Sequence, residues 1–276
     1  MLVVLILLAL VGLGIFADTQ LNRVNALSDY SGRPAAGAGT NWLIVGSDSR
    51  QGLDAAQQAK LHTGAVAGGG RTDSILLLHI PSNSTKPTLV SILRDSYVPI
   101  PGHGTNKINA AFAFGGPSLL AKTVEQDTGL RVDHYMEIGL GGFASVVDDV
   151  GGVRMCLPKA VKDSRAGIDL PGGCQNLNGA NALGYVRSRH AFASGDIART
   201  EHQRQFLGAL ASKLASPSTL LNPLRFVPTA ADLPASLTVN SGDHIWNVVD
   251  MAWNLRHIGS GGVVSTMVPI AGSETT

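Results

Sequence analysis

The feature that most narrows the fold is a set of short apolar runs that each break against a charged turn. Asn41–Ser47 (NWLIVGS) runs into Asp48, Ser49 and Arg50; Asp73–Ile80 (DSILLLHI) follows Arg71 and Thr72; Thr88–Leu93 (TLVSIL) ends at Arg94 and Asp95. Runs this short, rich in Ile, Leu and Val and bounded by turn residues, read as buried strands. PSNSTKP between the second and third is turn chemistry, so that pair reads as an antiparallel hairpin. Val132–Ile138, Val153–Leu157 and a closing Val263–Pro269 also read as strands. Pro117 opens a helix to Thr128 with Gly129 as its stop. Gly141–Val150 is a short helix closed by Gly151 and Gly152. Phe206, Leu207, Leu210 and Leu214 recur at helical spacing, as do Ile245, Val248, Val249 and Ala252. Strands alternating with helices predict an α/β fold, a mixed central β-sheet flanked by helices in α/β/α layers. At 276 residues the chain can bury one sizeable core, and neither an internal repeat nor a second-domain boundary is visible.

Met1–Ala17 is almost wholly apolar, and no Lys or Arg precedes Arg23. A bilayer-spanning helix needs about 20 apolar residues. Residues 1–17 therefore read as the outer part of a membrane anchor, truncated at its start. A cleaved signal peptide, which would want a basic leading region, and a buried helix compete with that reading. Under the first two the remainder is exported. Residues 18–40 are polar, with Gly and Ala, and read as a flexible tether; the folded domain is expected over 41–276. Cys156 and Cys174 flank a turn-rich stretch. In an exported protein a bridge between them would stabilise by about 3 kcal/mol; two unrelated buried thiols are the alternative.

Charged residues make up only 15% of the chain and the net charge is +1, which argues against a nucleic-acid binder held by phosphate contacts. P-loop, GxGxxG, GxSxG and HExxH patterns are absent. What remains is polar residues at strand ends, where loops commonly carry ligand sites. If the three strands are neighbours, Asp48, Asp73, Arg94 and Asp95 gather at one sheet edge. Two carboxylates with phosphate oxygens and water suit Mg²⁺; turn and cap roles are the bland alternative. A later cluster, Arg187, Ser188, Arg189, His190, Asp196, Arg199, Gln203 and Arg204, is rich in guanidinium groups that bind phosphate bidentately. Arg199 and Gln203 share a helix face, whereas Arg187 and Arg189 reach one ligand only if a helix ends near Arg187 and continues extended. The alternative is a solvated surface paired with Asp196 and Glu201. His190 and His202 read as structural.

IVGSDSR, RTDSILL, SILRDSYV, KINAAFAFGG, DVGGV, LNGANALGYVRSRH and DIARTEHQRQFL together resemble the LytR–CpsA–Psr family of cell-envelope proteins over Asn41 to about Leu214. The resemblance implies a membrane-tethered, extracytoplasmic phosphotransferase. It would move a glycopolymer with its linking phosphate from a polyprenyl-pyrophosphate carrier onto peptidoglycan. It further implies Mg²⁺ between the pyrophosphate and Asp48 and Asp73, pyrophosphate held by Arg94, Arg187, Arg189 and Arg199 with Gln203 nearby, and an apolar lipid pocket beside the sheet. The acceptor proton would pass to Asp73 or Asp95, since a positioned carboxylate can serve as base. The two cysteines and the insertion before Arg71 look like actinobacterial members, whose polymer is usually arabinogalactan. Leu93 stands where Pro is usual and His202 where Arg is common. A lipid pyrophosphatase and a non-catalytic lipid- or glycan-binding regulator are the competing readings.

Overall fold

The computed structural model describes residues 1–50, 53–64, 70–188, 195–258 and 261–268. In chain order they form α1 (Leu2–Gln20), β1 (Asn22–Val24), β2 (Thr40–Ser47), α2 (Ala55–Lys60), β3 (Thr72–Ile80), β4 (Thr88–Ile92), β5 (Tyr97–Ile100) and β6 (Gly104–Lys107). There follow α3 (Ile108–Thr128), β7 (His134–Ile138), α4 (Leu140–Asp149), β8 (Val153–Leu157), β9 (Val161–Asp163), β10 (Ile168–Leu170) and β11 (Gly173–Leu177). The chain closes with α5 (Gly179–Arg187), α6 (Gly195–Leu214), α7 (Pro217–Leu220), α8 (Pro223–Ala235), β12 (Leu237–Asn240), α9 (Ile245–Leu255) and β13 (Val264–Met267).

The central sheet is mixed, in the order β1-β12-β7-β2-β3-β4-β13. β2, β3 and β4 are antiparallel neighbours, whereas β2–β7, β1–β12 and β4–β13 run parallel. Both faces of β2 and β3 are covered, which is why their sequences are continuously apolar rather than alternating. Leu43, Val45, Ile75 and Leu77 pack toward Ile108, Leu120 and Val124 of α3. Trp42, Ile44, Leu76 and Leu78 pack the other way, with Ala211 of α6 and Val248, Met251 and Leu255 of α9. Each such buried aliphatic side chain contributes about 1.5–3 kcal/mol. A third cluster joins α4, α5 and α6 to the strands between the cysteines, with Val147, Ile168, Tyr185 and Phe206 among its members.

The predicted start at Pro117 falls inside α3. The helix is interrupted by Gly115 (φ −144°, ψ 20°) and Gly116 (φ 62°, ψ −155°), so Pro117 opens its second half. The missing Pro amide costs nothing there.

Residues 18–40 are not a loose tether. β1 pairs with β12, and Asn22 Nδ2 donates to the Ala235 and Leu237 carbonyls at 2.7 and 3.1 Å. Arg33 forms an ion pair with Glu125 at 3.0 Å, both side chains buried, and also donates to the Val132 carbonyl at 2.9 Å. The folded body therefore begins well before Asn41. A three-residue strand and an ion pair spanning 92 positions leave no local pattern to read. α1, 19 residues long, packs its end against α8 and α9; among the described residues no helix is long and apolar enough to cross a membrane.

Losing Glu125 removes the acceptor of the buried Val132 amide (2.9 Å) and leaves the buried Arg33 paired only with the exposed Asp29 (2.8 Å). Glu125→Ala should therefore lower the unfolding free energy by about 3–5 kcal/mol in denaturant titration. A change below about 0.5 kcal/mol, the usual range for surface substitutions, would return residues 18–40 to the status of a tether.

Candidate active site

β2 and β3 do not stay in simple register to their ends. Gly46 faces Ser74 while the next residue, Ser47, faces Thr72, so Asp73 is the extra residue of a bulge. Bulges re-aim side chains and recur beside active sites. Asp48 follows immediately on the partner strand. Its amide donates to the Arg71 carbonyl at 2.9 Å and its Oδ1 accepts the Arg71 amide at 2.6 Å, which clasps the two loops together. The third acidic position arrives from the turn after β4, closed by the Ser96 amide on the Leu93 carbonyl at 2.9 Å. From this turn Arg94 Nη1 reaches Asp73 Oδ1 at 2.9 Å, and its Nε lies 3.4 Å from Asp95, which also meets Lys107 at 3.2 Å. Asp48, Asp73, Arg94 and Asp95 thus share one sheet edge, as the strand reading required.

The arginines come from the opposite wall. α5 starts at Asn178, whose side chain accepts the Asn181 amide, and stops at Arg187; Ser188 is extended (φ −61°, ψ 128°). That is the helix end the sequence demanded, although Arg189 and His190 themselves lie outside the described residues. Gly184 lets α5 sit against the cysteine-bounded loop, since a Cβ there would collide with Ile168 and with the Ala166 carbonyl. On α6, Arg199 is only 3% exposed, and Gln203 one turn later donates to the Val186 carbonyl at 3.2 Å. A solvated charged surface does not describe this arginine.

These groups converge on a polar cavity of about 180 Å³ lined by Asp73, Arg187, Arg199 and Gln203 together with Asp163 and Arg165. Beside it lies an apolar cavity of about 190 Å³ between the sheet and α6 and α9, with Ile44, Leu76, Met136, Leu210, Met251 and Leu255 in its walls. Asp73, Val186, Arg187 and Gln203 line both. Asp48, Arg94 and Asp95 stand beside Asp73 rather than on the described cavity walls.

Asp163 and Arg165 were not singled out from the sequence. Asp163 is 4% exposed; its Oδ1 accepts the Arg165 and Ala166 amides at 3.1 and 3.2 Å, and its Oδ2 accepts the Ser188 hydroxyl at 3.2 Å. It therefore ties the loop to the chain leaving α5. The signal available was a DSR turn between two cysteines. Those cysteines are bridged, and they face each other directly across the β8–β11 ladder. His202 stacks on Tyr185 with ring centroids 4.6 Å apart, and burial, partly offset by Glu201, holds its pKa below the usual value. Burial and Glu201 push the Tyr185 hydroxyl up to about 12. At this position the chain keeps a packed imidazole.

The arrangement is suited to a diphosphate: buried Arg199 and half-buried Arg187 carry guanidinium groups of the kind that donate bidentately to phosphate, and the acidic edge supplies hard oxygens for a cation. Asp48 has one oxygen committed to a backbone amide and one remaining, and Asp73 sits on the cavity. Among the described residues no group of three or more His, Cys, Asp or Glu converges. Mg²⁺ here would take one or two carboxylates and complete its octahedron with phosphate oxygens and water, which this donor set fits.

The family model described as the LytR_cpsA_psr family matches residues 17–276. A probable cell wall biosynthesis protein, LcpB of Corynebacterium glutamicum, is 51% identical over 257 residues, covering 93% of this chain. The chain spans 60% of that relative's length. Among solved structures, a LytR-Csp2A-Psr enzyme from Actinomyces oris superposes with a TM-score of 0.68 at 21% identity, covering 90% of this chain and 87% of the other. TagT bound to LIIa-WTA gives a TM-score of 0.59 at 25% identity, covering 83% and 78%.

Two outcomes follow from the geometry. Replacing both cysteines by serine should lower stability by about 2–4 kcal/mol in denaturant melts and weaken inorganic pyrophosphate binding, because the loop they close carries Asp163. Binding unchanged in that variant would detach the loop from the site. For His202, a depressed folded pKa means that the unfolded chain takes up its proton first. Its contribution is thus intact above pH 6.5 and declines as pH falls through the range below. His202→Gln should flatten this part of the stability–pH curve; a curve of unchanged slope would remove the burial argument.

Proposed function

The chain belongs to the LytR–CpsA–Psr family, and we propose that it is a Mg²⁺-dependent phosphotransferase of the cell envelope. It takes a glycopolymer with its linking phosphate from a polyprenyl-pyrophosphate carrier and attaches it to peptidoglycan, arabinogalactan being the polymer. The observation that carries this reading is the shared wall of the two cavities. A molecule with a doubly charged head and a long apolar tail has its two halves matched by neighbouring spaces that meet at Asp73, Arg187 and Gln203. The neighbour bound to LIIa-WTA and the cell wall biosynthesis relative support a role for this chain in cell-wall assembly. In this reading residues 1–17 anchor the chain in the membrane and the catalytic domain lies outside the cytoplasm.

Arg187 and Arg199, together with Arg189, hold the pyrophosphate oxygens and carry the charge that grows on the departing lipid phosphate. Arg94 joins them through its ion pair with Asp73. A sugar hydroxyl of the acceptor attacks the glycan-side phosphorus, the bond to the lipid phosphate breaks, and the hydroxyl proton passes to Asp73 or Asp95. Positioning and electrostatic stabilisation do most of the work in such phosphoryl transfers. Mg²⁺, held by Asp48 and Asp73, supplies neutralisation of phosphate charge when bound. A carboxylate committed to the cation is a poor proton acceptor at the same time, so Asp73 and Asp95 divide the two tasks.

The deciding experiment incubates the chain with labelled lipid-linked donor, Mg²⁺ and a peptidoglycan acceptor. Label on the acceptor is expected. Release of label into water alone would make the protein a pyrophosphatase, and tight binding without turnover would make it a regulator. Arg189→Ala and Arg199→Ala should each cost on the order of 10²–10³ in turnover. Asp48→Ala should shift the Mg²⁺ titration to higher concentration; an unaltered titration would take Asp48 out of the metal site.

A further inference from the structure

Outside the candidate site, exposed apolar side chains gather on one part of the molecule. Among the described residues, the exposed large hydrophobic side chains number seven between Met1 and Phe16, four between Leu220 and Val227 and three on α9, against four elsewhere. The three groups are contiguous, because α1 packs on both α8 and α9. Asp18, near the end of α1, fixes the junction: it accepts the Ile245 amide at 2.9 Å and meets His244 at 3.1 Å, both at the start of α9.

α9 is apolar on two sides. Val248, Met251 and Leu255 are buried and line the apolar cavity, while Trp246, Val249 and Trp253 recur at helical spacing on the outer side, each more than half exposed. Asn247, Asp250 and Asn254 give the helix one polar stripe, yet Trp246, Val249 and Trp253 leave a second apolar side uncovered. Leu221 and Leu224 beside it are 81% and 84% exposed.

We propose that this face, α9 with the α7–α8 corner, rests on the lipid bilayer beside α1. A bilayer explains the patch better than a protein does because α1 exposes apolar residues on more than one side: Val4, Leu8, Val11 and Ile15 form one stripe and Leu10 lies opposite. A protein groove would cover one stripe; lipid chains cover any. Tryptophans are also the side chains favoured at the membrane–water boundary, where a ring can be buried and its N–H kept wet. Arg256, whose guanidinium lies 3.6 Å over the Trp253 ring, places a cation at the level of anionic headgroups.

The docking deepens the transferase reading and rests on it only for the identity of the ligand. α9 then has lipid on one side and the apolar cavity on the other, so a membrane-resident tail reaches the cavity without its apolar length crossing water. Arg187 and Arg199 would meet the headgroup at the far end.

The test uses the full chain reconstituted in phosphatidylcholine–phosphatidylglycerol vesicles with brominated acyl chains. The three tryptophans are Trp42, Trp246 and Trp253, and Trp42 is 1% exposed, so it serves as the internal reference. Bromine should remove most of the emission of the native chain and little of that from Trp246→Phe/Trp253→Phe. Equal emission in brominated and ordinary vesicles would overturn the docking, as would protection of Trp246 and Trp253 by a cross-linkable second copy of the chain. A charged pair, Val249→Asp/Trp253→Asp, should raise KM for vesicle-borne donor while leaving KM for a short-chain, water-soluble donor unchanged; an equal rise for both would also overturn it. Inactivity of the native chain on both donors would defeat the transferase reading and leave the quenching result to decide the docking alone.

Discussion

The β2–β3 ladder is covered on both faces, so its polar groups can emerge only where the pairing ends. There the register slips by one residue, leaving Asp73 as the extra position between Thr72 and Ser74. Side chains on a strand alternate between faces, and a one-residue slip changes which face a position serves. Thr72 stays fully buried while Asp73 lines the cavities and pairs with Arg94. The rest of the acidic edge is organised about this point. Asp48 is clasped to the strand that carries it, and Asp95 is joined to it through the same guanidinium.

The opposite wall is built by a different device. The bridge between Cys156 and Cys174 closes a loop of short strands, and Asp163 within it binds Ser188 at the exit of α5. Gly184 allows that helix to lie close enough for the contact. One wall is thus held by a buried sheet and the other by a covalent staple with a buried carboxylate. Both walls bring carboxylates and guanidinium groups to the same polar cavity, with Asp73, Asp163, Arg187 and Arg199 all in its lining.

Legibility followed the length and regularity of each element. Asn41–Ser47 and Asp73–Ile80 were readable because each centres on four consecutive apolar residues, WLIV and ILLL, bounded by polar turns, and α9 because Ile245, Val248, Val249 and Ala252 recur at helical spacing. β1, β9 and β10, three residues each, carry no periodicity. α8 contains Pro228 and Pro234, which remove backbone donors and disguise a helix. For the site, Arg187, Arg199, Gln203 and Asp73 were chosen by residue chemistry and spacing, and the fold brings them to one cavity. Asp163 was missed because its value lies in what it bonds across the fold, and an Asp in a turn has a bland explanation available. The ion pair of Arg33 with Glu125, which converts a polar stretch into part of the body, was hidden for the same reason.

α9 combines demands that are usually separated. Its inner residues complete the core of the second sheet face and wall a cavity, so they cannot all be filled in as densely as an ordinary core without closing the space. On its outer side Asn247, Asp250 and Asn254 are polar, but Trp246, Val249 and Trp253 remain apolar although each is more than half exposed. A helix serving folding alone would keep a polar outer face. Apolar residues retained on the outside of the helix that borders an apolar cavity make sense together if both sides face lipid, one the bulk bilayer and the other a single extracted chain. The cavity then requires no gate of its own: the membrane lies against the outer side of one wall, and the charged end of the site sets how far the headgroup is drawn in.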